Sequence, residues 1–103
     1  MASTIRVRAQ ANGKTTEVQA LIQHPMDSGY VKDSKGELIP PHHIETVIFE
    51  HGGKPVLTAD WGPAVSKDPY IKFAFMGGAK GDPLVVTWID NLGKTDTLTA
   101  KIG

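Results

Sequence analysis

The fold is decided by residues 5–22, which have the sequence IRVRAQANGKTTEVQALI. Apolar and polar residues alternate in both halves of this stretch, which is the period of a β-strand with one buried face. Between the halves stands Asn12-Gly13, the dipeptide that best tolerates the positive φ angles of a tight hairpin turn. The stretch therefore predicts two neighbouring antiparallel strands.

Five further strand-like runs follow, and glycine-rich or proline-containing turns separate them. They span residues 44–50, 56–61, 70–76, 84–90 and 95–102. No window shows the i, i+3, i+4 apolar spacing over three turns that a core helix requires. About seven short strands in 103 residues predict an all-β, immunoglobulin-like β-sandwich, with a small barrel as the alternative. Trp88 is the candidate for the buried indole of such a sandwich.

Residues 25–43 form a connection longer than the roughly 12–15 residues of a plain loop. Within it, Asp33-Ser34-Lys35-Gly36 has the composition of a turn and stands between two short runs that could pair. We therefore expect a hairpin near residues 25–43 that projects from the sandwich. Pro40-Pro41 should stiffen its return, because each proline fixes φ.

Composition excludes several classes of function. The chain has 11 basic and 11 acidic residues, and a balanced charge without a basic block argues against nucleic acid as a partner. There is no cysteine, so the chain has no thiol for redox, nucleophilic or thiolate-metal chemistry. No stretch approaches the roughly 20 apolar residues of a membrane span, and no apolar segment follows a basic start as in a secretory signal. One domain, residues 1–103, is expected.

No catalytic or metal site is predicted from the motifs. Four histidines are present at positions 24, 42, 43 and 51, but the adjacent His42 and His43 should point to opposite sides of an extended chain. No pair has a spacing that would chelate a metal from one element, so the histidines are not expected to converge. Ser28 and Ser66 lack the sequence of a nucleophile elbow. The sequence thus predicts a chain that is not an enzyme and holds no cofactor.

Several strands carry apolar side chains on both faces. The runs Val47-Ile48-Phe49, Leu84-Val85-Val86 and Trp88-Ile89 break the alternation expected of a strand with one face in water. The extra apolar groups could lie near strand ends or under loops, where single exposed apolar residues are common. Taken together, with no helix to cover an outer sheet face, they predict a surface that a second polypeptide covers.

The sequence also resembles the SoxZ family. The resemblance covers residues from about 5 to 102, and its blocks are LIQHPMDSG (21–29), Lys32-Asp33, Gly36, Leu38-Ile39-Pro40, GPAVS (62–66), Asp68-Pro69-Tyr70, Trp88 and Asp90. It implies an immunoglobulin-like fold and a heterodimer with SoxY, whose C-terminal cysteine carries sulfur substrates in thiosulfate oxidation. It further implies transient contacts with other Sox enzymes, and a periplasmic location reached by export with the partner, without a signal peptide of its own.

The projecting hairpin and its approaches are expected to help recognise a partner. The residues predicted to take part are His24, Met26, Tyr30, Lys32, Asp33, Ile39 and Pro40. Their alternative role is to fix the loop. Two other functions stay open: a histidine-based metal-binding protein of the same fold, and a homodimeric structural module. A SoxZ-like chain could also form a homodimer when isolated.

Overall fold

The computed structural model describes residues 4–24, 26–27, 29–30, 32–61 and 68–103. These residues form seven β-strands in two antiparallel sheets, which confirms the predicted immunoglobulin-like sandwich over the barrel. The strands are β1 (Ile5–Asn12), β2 (Thr15–Ile22), β3 (Ile44–His51), β4 (Lys54–Asp60), β5 (Tyr70–Met76), β6 (Pro83–Asp90) and β7 (Thr95–Lys101). Within the described ranges, no helix is long and apolar enough to cross a membrane.

Strand order places β1-β2-β5 in a three-stranded sheet and β4-β3-β6-β7 in a four-stranded sheet. The first two strands form the predicted hairpin, with Ile5 opposite Ile22 and a turn in which Gly13 has a φ of 68°. On one side of the sandwich, the residue after β7 that lies next to β1, Gly103, bonds to the β1 backbone. There the Ala11 amide donates to the Gly103 carbonyl at 2.9 Å, and the Gly103 amide donates to the Ala9 carbonyl at 2.8 Å.

The core lies between the sheets and is built by the inward positions of each strand. The largest fully buried side chains are Phe49, Ile22, Ile44, Leu84, Ile102, Val18, Val47, Val86 and Thr16. Burial of each large apolar side chain contributes about 1.5–3 kcal/mol relative to exposure. Trp88 is buried as predicted, and its indole N–H donates to the Thr4 hydroxyl at 3.0 Å.

The outer faces of the two sheets differ in character. The three-stranded sheet presents mostly polar side chains outward, among them Arg8, Glu17 and Lys72. On the four-stranded sheet, Ile48 and Ile89 alternate with buried residues and so point outward, in a surface otherwise rich in threonine. The apolar runs of β3 and β6 thus place Ile48 and Ile89 on an outer face, and the surface covered by a second polypeptide stays a prediction.

The projecting hairpin is present over its described residues, and we call residues 26–42 the arm. Isolated bridges pair Asp27 with His42 at its base and Lys32 with Leu38 near its tip. At the tip, the Asp33 amide donates to the Glu37 carbonyl at 2.7 Å, and the Asp33 carboxylate accepts from two backbone amides of the turn. The molecule measures 53 × 25 × 19 Å as a result. Residues 62–67, part of the resemblance, lie outside the described residues, as do Pro25, Ser28 and Val31.

Candidate functional site

Three polar side chains meet where the arm joins the sandwich. His24 follows β2, His42 ends the arm just before β3, and Asp90 is the last residue of β6. The Asp90 Oδ2 atom lies 3.2 Å from His24 Nε2 and 2.8 Å from His42 Nε2. The side chains of Asp90 and His24 are 0% and 3% exposed, whereas that of His42 is 25% exposed. We call these three residues the His–Asp–His cluster.

Asp90 accepts hydrogen bonds on both carboxylate oxygens. Its Oδ1 atom accepts from the backbone amides of Leu92 at 3.0 Å and Lys94 at 2.8 Å, which shapes the turn between β6 and β7. Burial alone would raise the pKa of Asp90. The hydrogen bonds from His42, His24 and these two amides outweigh burial, and the pKa of the carboxyl is held below its usual range. Asp90 is thus a buried carboxylate stabilised by four donors.

His24 is held as one neutral tautomer. The backbone amide of Met26 donates to His24 Nδ1 at 3.1 Å, so the ring proton stands on Nε2 and points to Asp90. Burial is the main cause that lowers the pKa of His24, and the hydrogen bond to Asp90 only partly offsets it. The backbone of His24 exchanges two further hydrogen bonds with Asp68, each 3.0 Å long.

The cluster has the residue types of a metal site, and all its candidate ligand atoms lie within 4.8 Å of one another. A neutral imidazole has one free lone pair, and in His24 the Met26 amide already takes that lone pair at Nδ1. Metal ligation through Nε2 would require the proton to move to Nδ1, where it would face the Met26 amide. The cluster therefore fits a hydrogen-bonded anchor for the arm and does not fit a metal ion.

The expectation that the histidines do not converge is wrong for His24 and His42. Local spacing cannot reveal this meeting, because the two rings come from different segments and share a carboxylate that is 48 or more residues away. The signal that could have found it is positional: β2 and β6 end at the same end of the sandwich, next to the predicted hairpin. His51 lies elsewhere and pairs with Asp82 at 2.9 Å.

The seven residues predicted to recognise a partner divide into two groups. His24 and Met26 are 4% and 6% exposed, so their side chains pack inside; Met26 Sδ accepts from the Ile44 amide at 3.3 Å. These two anchor the arm. Partner contact stays a prediction for the other five, which are half-buried (Ile39) or exposed (Tyr30, Lys32, Asp33 and Pro40).

Exposed apolar side chains concentrate at the end of the sandwich that bears the arm. Six large hydrophobic residues are exposed among those described, and only Met76 lies at the opposite end. The other five are Tyr30, Leu38, Tyr70, Ile89 and Leu92. The turn that carries Leu92 also contacts the arm base, since the Asn91 side chain donates to the Pro41 carbonyl at 2.9 Å. These residues share one end of the molecule but not one face, since Tyr70 lies on the outer side of the three-stranded sheet and Ile89 on that of the four-stranded sheet.

The cluster makes the stability depend on pH. The pKa of His24 is lower in the folded chain than the ordinary 6.5, so its contribution is complete above pH 6.5 and is lost as the pH falls below that value. Asp90 adds a second loss only below its ordinary pKa of 3.8. We expect the free energy of unfolding in urea to fall between pH 7 and pH 5, by at most about 1.4 kcal/mol per pH unit for one proton.

The variant His24→Gln isolates the contribution of His24, because glutamine keeps an N–H donor and does not titrate. The free energy of unfolding of this variant should fall less than that of the native chain between pH 7 and pH 5. His43→Gln is the matched control and should keep the native slope. Equal slopes in His24→Gln and the native chain would contradict the assignment to His24.

Comparisons with known proteins identify one family and one fold. The sequence model of the family described as Sulphur oxidation protein SoxZ matches residues 5–101. None of the curated proteins matches the chain. Among solved structures, a variant of the superoxide reductase neelaredoxin from Archaeoglobus fulgidus, in the reduced form, has 18% identity and a TM-score of 0.63, over 98% of this chain and 88% of that one.

A second superoxide reductase, in the oxidised state, has 15% identity and a TM-score of 0.59, again over 98% of this chain and 88% of its own. Identities this low show a shared fold and nothing about activity.

Proposed function

We propose, since the chain belongs to the SoxZ family of sulphur oxidation proteins, that it is the non-catalytic subunit of a sulfur-carrier complex and forms a heterodimer with SoxY. The match over residues 5–101 carries this proposal, because it spans nearly the whole chain. The sulfur substrate is carried on the C-terminal cysteine of SoxY. This division of labour agrees with a chain that contains no cysteine of its own.

The geometry supports a structural role for this subunit. Its most distinctive polar group, the His–Asp–His cluster, is largely buried and internally hydrogen-bonded, and it holds the arm in place. The apolar residues at the arm-bearing end offer surface to other proteins. The proposed work of the chain is to give SoxY a stable platform and to present the arm to the enzymes that act on the carried sulfur. That work takes place in the periplasm, after export together with SoxY.

Mixing the purified chain with SoxY and measuring mass by light scattering during size-exclusion chromatography tests the heterodimer. We expect a 1:1 complex at micromolar concentration. A SoxY variant with its C-terminal cysteine replaced by alanine is the control, and it should bind equally well because the thiol carries substrate and does not hold the subunits together. Separate elution of the two native chains would refute the proposal.

The arm should serve the enzymes that visit the carrier complex. Leu38 is 59% exposed near the arm tip, and burial of a leucine against a partner contributes about 1.5–3 kcal/mol. Leu38→Ser should therefore lower kcat/KM of a reconstituted thiosulfate-oxidising system by about tenfold or more. The measurement is thiosulfate-dependent reduction of cytochrome c.

Lys35→Ala, a change at the exposed turn of the same hairpin, is the matched control and should have a much smaller effect. Co-elution with SoxY should be unchanged in both variants. A native kcat/KM in Leu38→Ser would show that the arm tip takes no part in enzyme recognition.

The two other functions make different predictions. A histidine-based metalloprotein should retain close to one metal ion per chain after purification, and elemental analysis measures this directly; the tautomer of His24 disfavours it. A homodimeric structural module should keep its symmetric self-association when SoxY is added. Our proposal predicts instead that the heterodimer replaces any homodimer of this chain when SoxY is added.

A further inference from the structure

The seven strands of the described residues leave four sheet edges, and three of these edges are protected. β1 and β7 lie side by side: the Asp96 carboxylate accepts from Thr4 at one end, and Gly103 pairs with β1 at the other. β4 begins with Lys54-Pro55 and pairs with β3 across an irregularity at Phe49/Glu50. Proline, lysine and bulges are the devices by which natural edge strands resist pairing with another chain.

β5 has almost none of these devices. Its sequence YIKFAFM contains no proline, its pairing with β2 runs without a register shift, and Lys72 is its one charged residue. Among the described residues, only those of β2 and the turns next to it pair with β5. A regular, largely apolar edge of this kind is a template for a further strand.

The register shows which backbone groups face the free edge. The Ile22 amide donates to the Pro69 carbonyl and the Gly77 amide to the Lys14 carbonyl, so odd-numbered residues of this segment bond to β2. Hydrogen-bonded pairs alternate along an antiparallel ladder. The N–H and C=O groups of the even-numbered residues of β5 therefore point away from β2: Tyr70, Lys72, Ala74 and Met76.

The side chains of β5 likewise have no strand beside them, among the described residues, on the side away from β2. Ile71 and Phe73 face the core but are only partly buried, whereas Val18 and Ala20, opposite them on β2, are 0% and 1% exposed. Val18 and Ala20 lie on a central strand that has a neighbour on each side. An added strand beside β5 would cover the flank of Ile71 and Phe73 and complete the sheet.

We infer that SoxY docks by adding an extended strand to the free edge of β5, which makes this sheet four-stranded. This inference rests on the proposed heterodimer and specifies its interface. Backbone groups of the even-numbered residues supply the hydrogen bonds. The incoming strand carries apolar side chains on the face beside Ile71 and Phe73, and an acidic residue on the opposite face beside Lys72.

Amide hydrogen exchange, resolved by residue, tests this interface in the free chain and in the complex. In the free chain, the amides of Lys72, Ala74 and Met76 should exchange rapidly while those of Ile71, Phe73 and Phe75 are protected. Adding SoxY should slow the even-numbered amides by about tenfold or more, because they become ladder donors. Protection of these amides in the dilute free chain would show that this chain covers its own edge. Protection that rises with the concentration of the free chain would assign the edge to a second copy. Either result overturns the inference.

A proline at position 74 removes one outward N–H without touching the bonds to β2. Ala74→Pro should weaken SoxY binding by about tenfold to a hundredfold, because it leaves a partner carbonyl unpaired. Ala74→Thr keeps the amide and should bind as the native chain does, and hydrogen exchange of the odd-numbered amides verifies that both variants fold. If SoxY binds both variants with equal affinity, the edge of β5 is not the interface. The proposed heterodimer would still be supported in that case. If no complex forms with the native chain, both proposals fail.

Discussion

Replacing Asp90 with alanine should lower the free energy of unfolding by about 3–5 kcal/mol, because it leaves several buried donors without an acceptor at about 1–3 kcal/mol each. The reason is the number of donors that converge on one carboxylate. His24, His42 and two backbone amides all donate to Asp90, and three of these four donors come from the arm base or the β6–β7 turn. Urea unfolding at pH 7.5, followed by tryptophan fluorescence, measures the loss.

Two variants show whether the loss belongs to the carboxylate. Asp90→Asn keeps an acceptor for the turn amides but presents an NH2 group or a weaker acceptor to the histidines. It should therefore lower the free energy of unfolding by less than Asp90→Ala does. Asp60→Ala, at the exposed end of β4, should stay within about 0.5 kcal/mol of the native chain. A loss below about 1 kcal/mol in Asp90→Ala would show that the cluster does not hold the arm end together.

The strands could be predicted from the sequence because their signals are local. Alternation over residues 5–22 and a turn sequence depend on neighbours along the chain, and the structure shows the predicted hairpin with its two-residue turn at Gly13-Lys14, one residue beyond Asn12-Gly13. The arm was also predictable, since an overlong connection with a turn sequence at its centre favours a hairpin. Its base pair, Asp27 with His42, follows from the same hairpin.

The cluster could not be predicted from local spacing, because its members meet only after the two sheets have packed. His24 has a backbone neighbour in Asp68, a ring neighbour in Trp88 at 5.1 Å and a carboxylate neighbour in Asp90. None of these contacts leaves a spacing in the sequence. The burial of His24 and Met26 has the same origin, and it explains why two residues placed on a binding surface by sequence lie inside instead.

The outer face of the three-stranded sheet shows a different limit. The sequence of β5 places Tyr70 and Met76 on the outward face, which suggests an apolar surface. Its neighbours across the sheet are set by register, and they bring Arg8 and Gln19 alongside Lys72. The polarity of this face is thus a property of three strands together. That β5 pairs with β2 alone, within the part of the chain that the structure describes, becomes visible only when the strand order is known.

Gly78→Ala should be nearly as destabilising as the loss of Asp90, for a reason confined to the other end of the sandwich. Gly78 has a φ of +82°, which costs an L-residue about 1–2 kcal/mol. A Cβ atom there would also collide with the hydroxyl of Thr16 and lie 3.2 Å from a methyl group of Ile102. Thr16 is fully buried, and its hydroxyl donates to the Gly77 carbonyl at 2.7 Å, so it cannot move aside freely. Overpacking adds about 1–3 kcal/mol, measured by urea unfolding.

Gly81→Ala separates the two causes. Gly81 has a φ of +94° in the same connection between β5 and β6, but a Cβ atom there would meet nothing within 4 Å. It should therefore show the backbone cost alone, and the excess in Gly78→Ala is the collision. In the double variant Thr16→Ala/Gly78→Ala the collision is removed, so the two changes should together cost less than the sum of the single changes by about 1–3 kcal/mol. Additive losses, or equal losses in Gly78→Ala and Gly81→Ala, would show that the buried hydroxyl of Thr16 yields to the methyl group and that only the backbone angle matters.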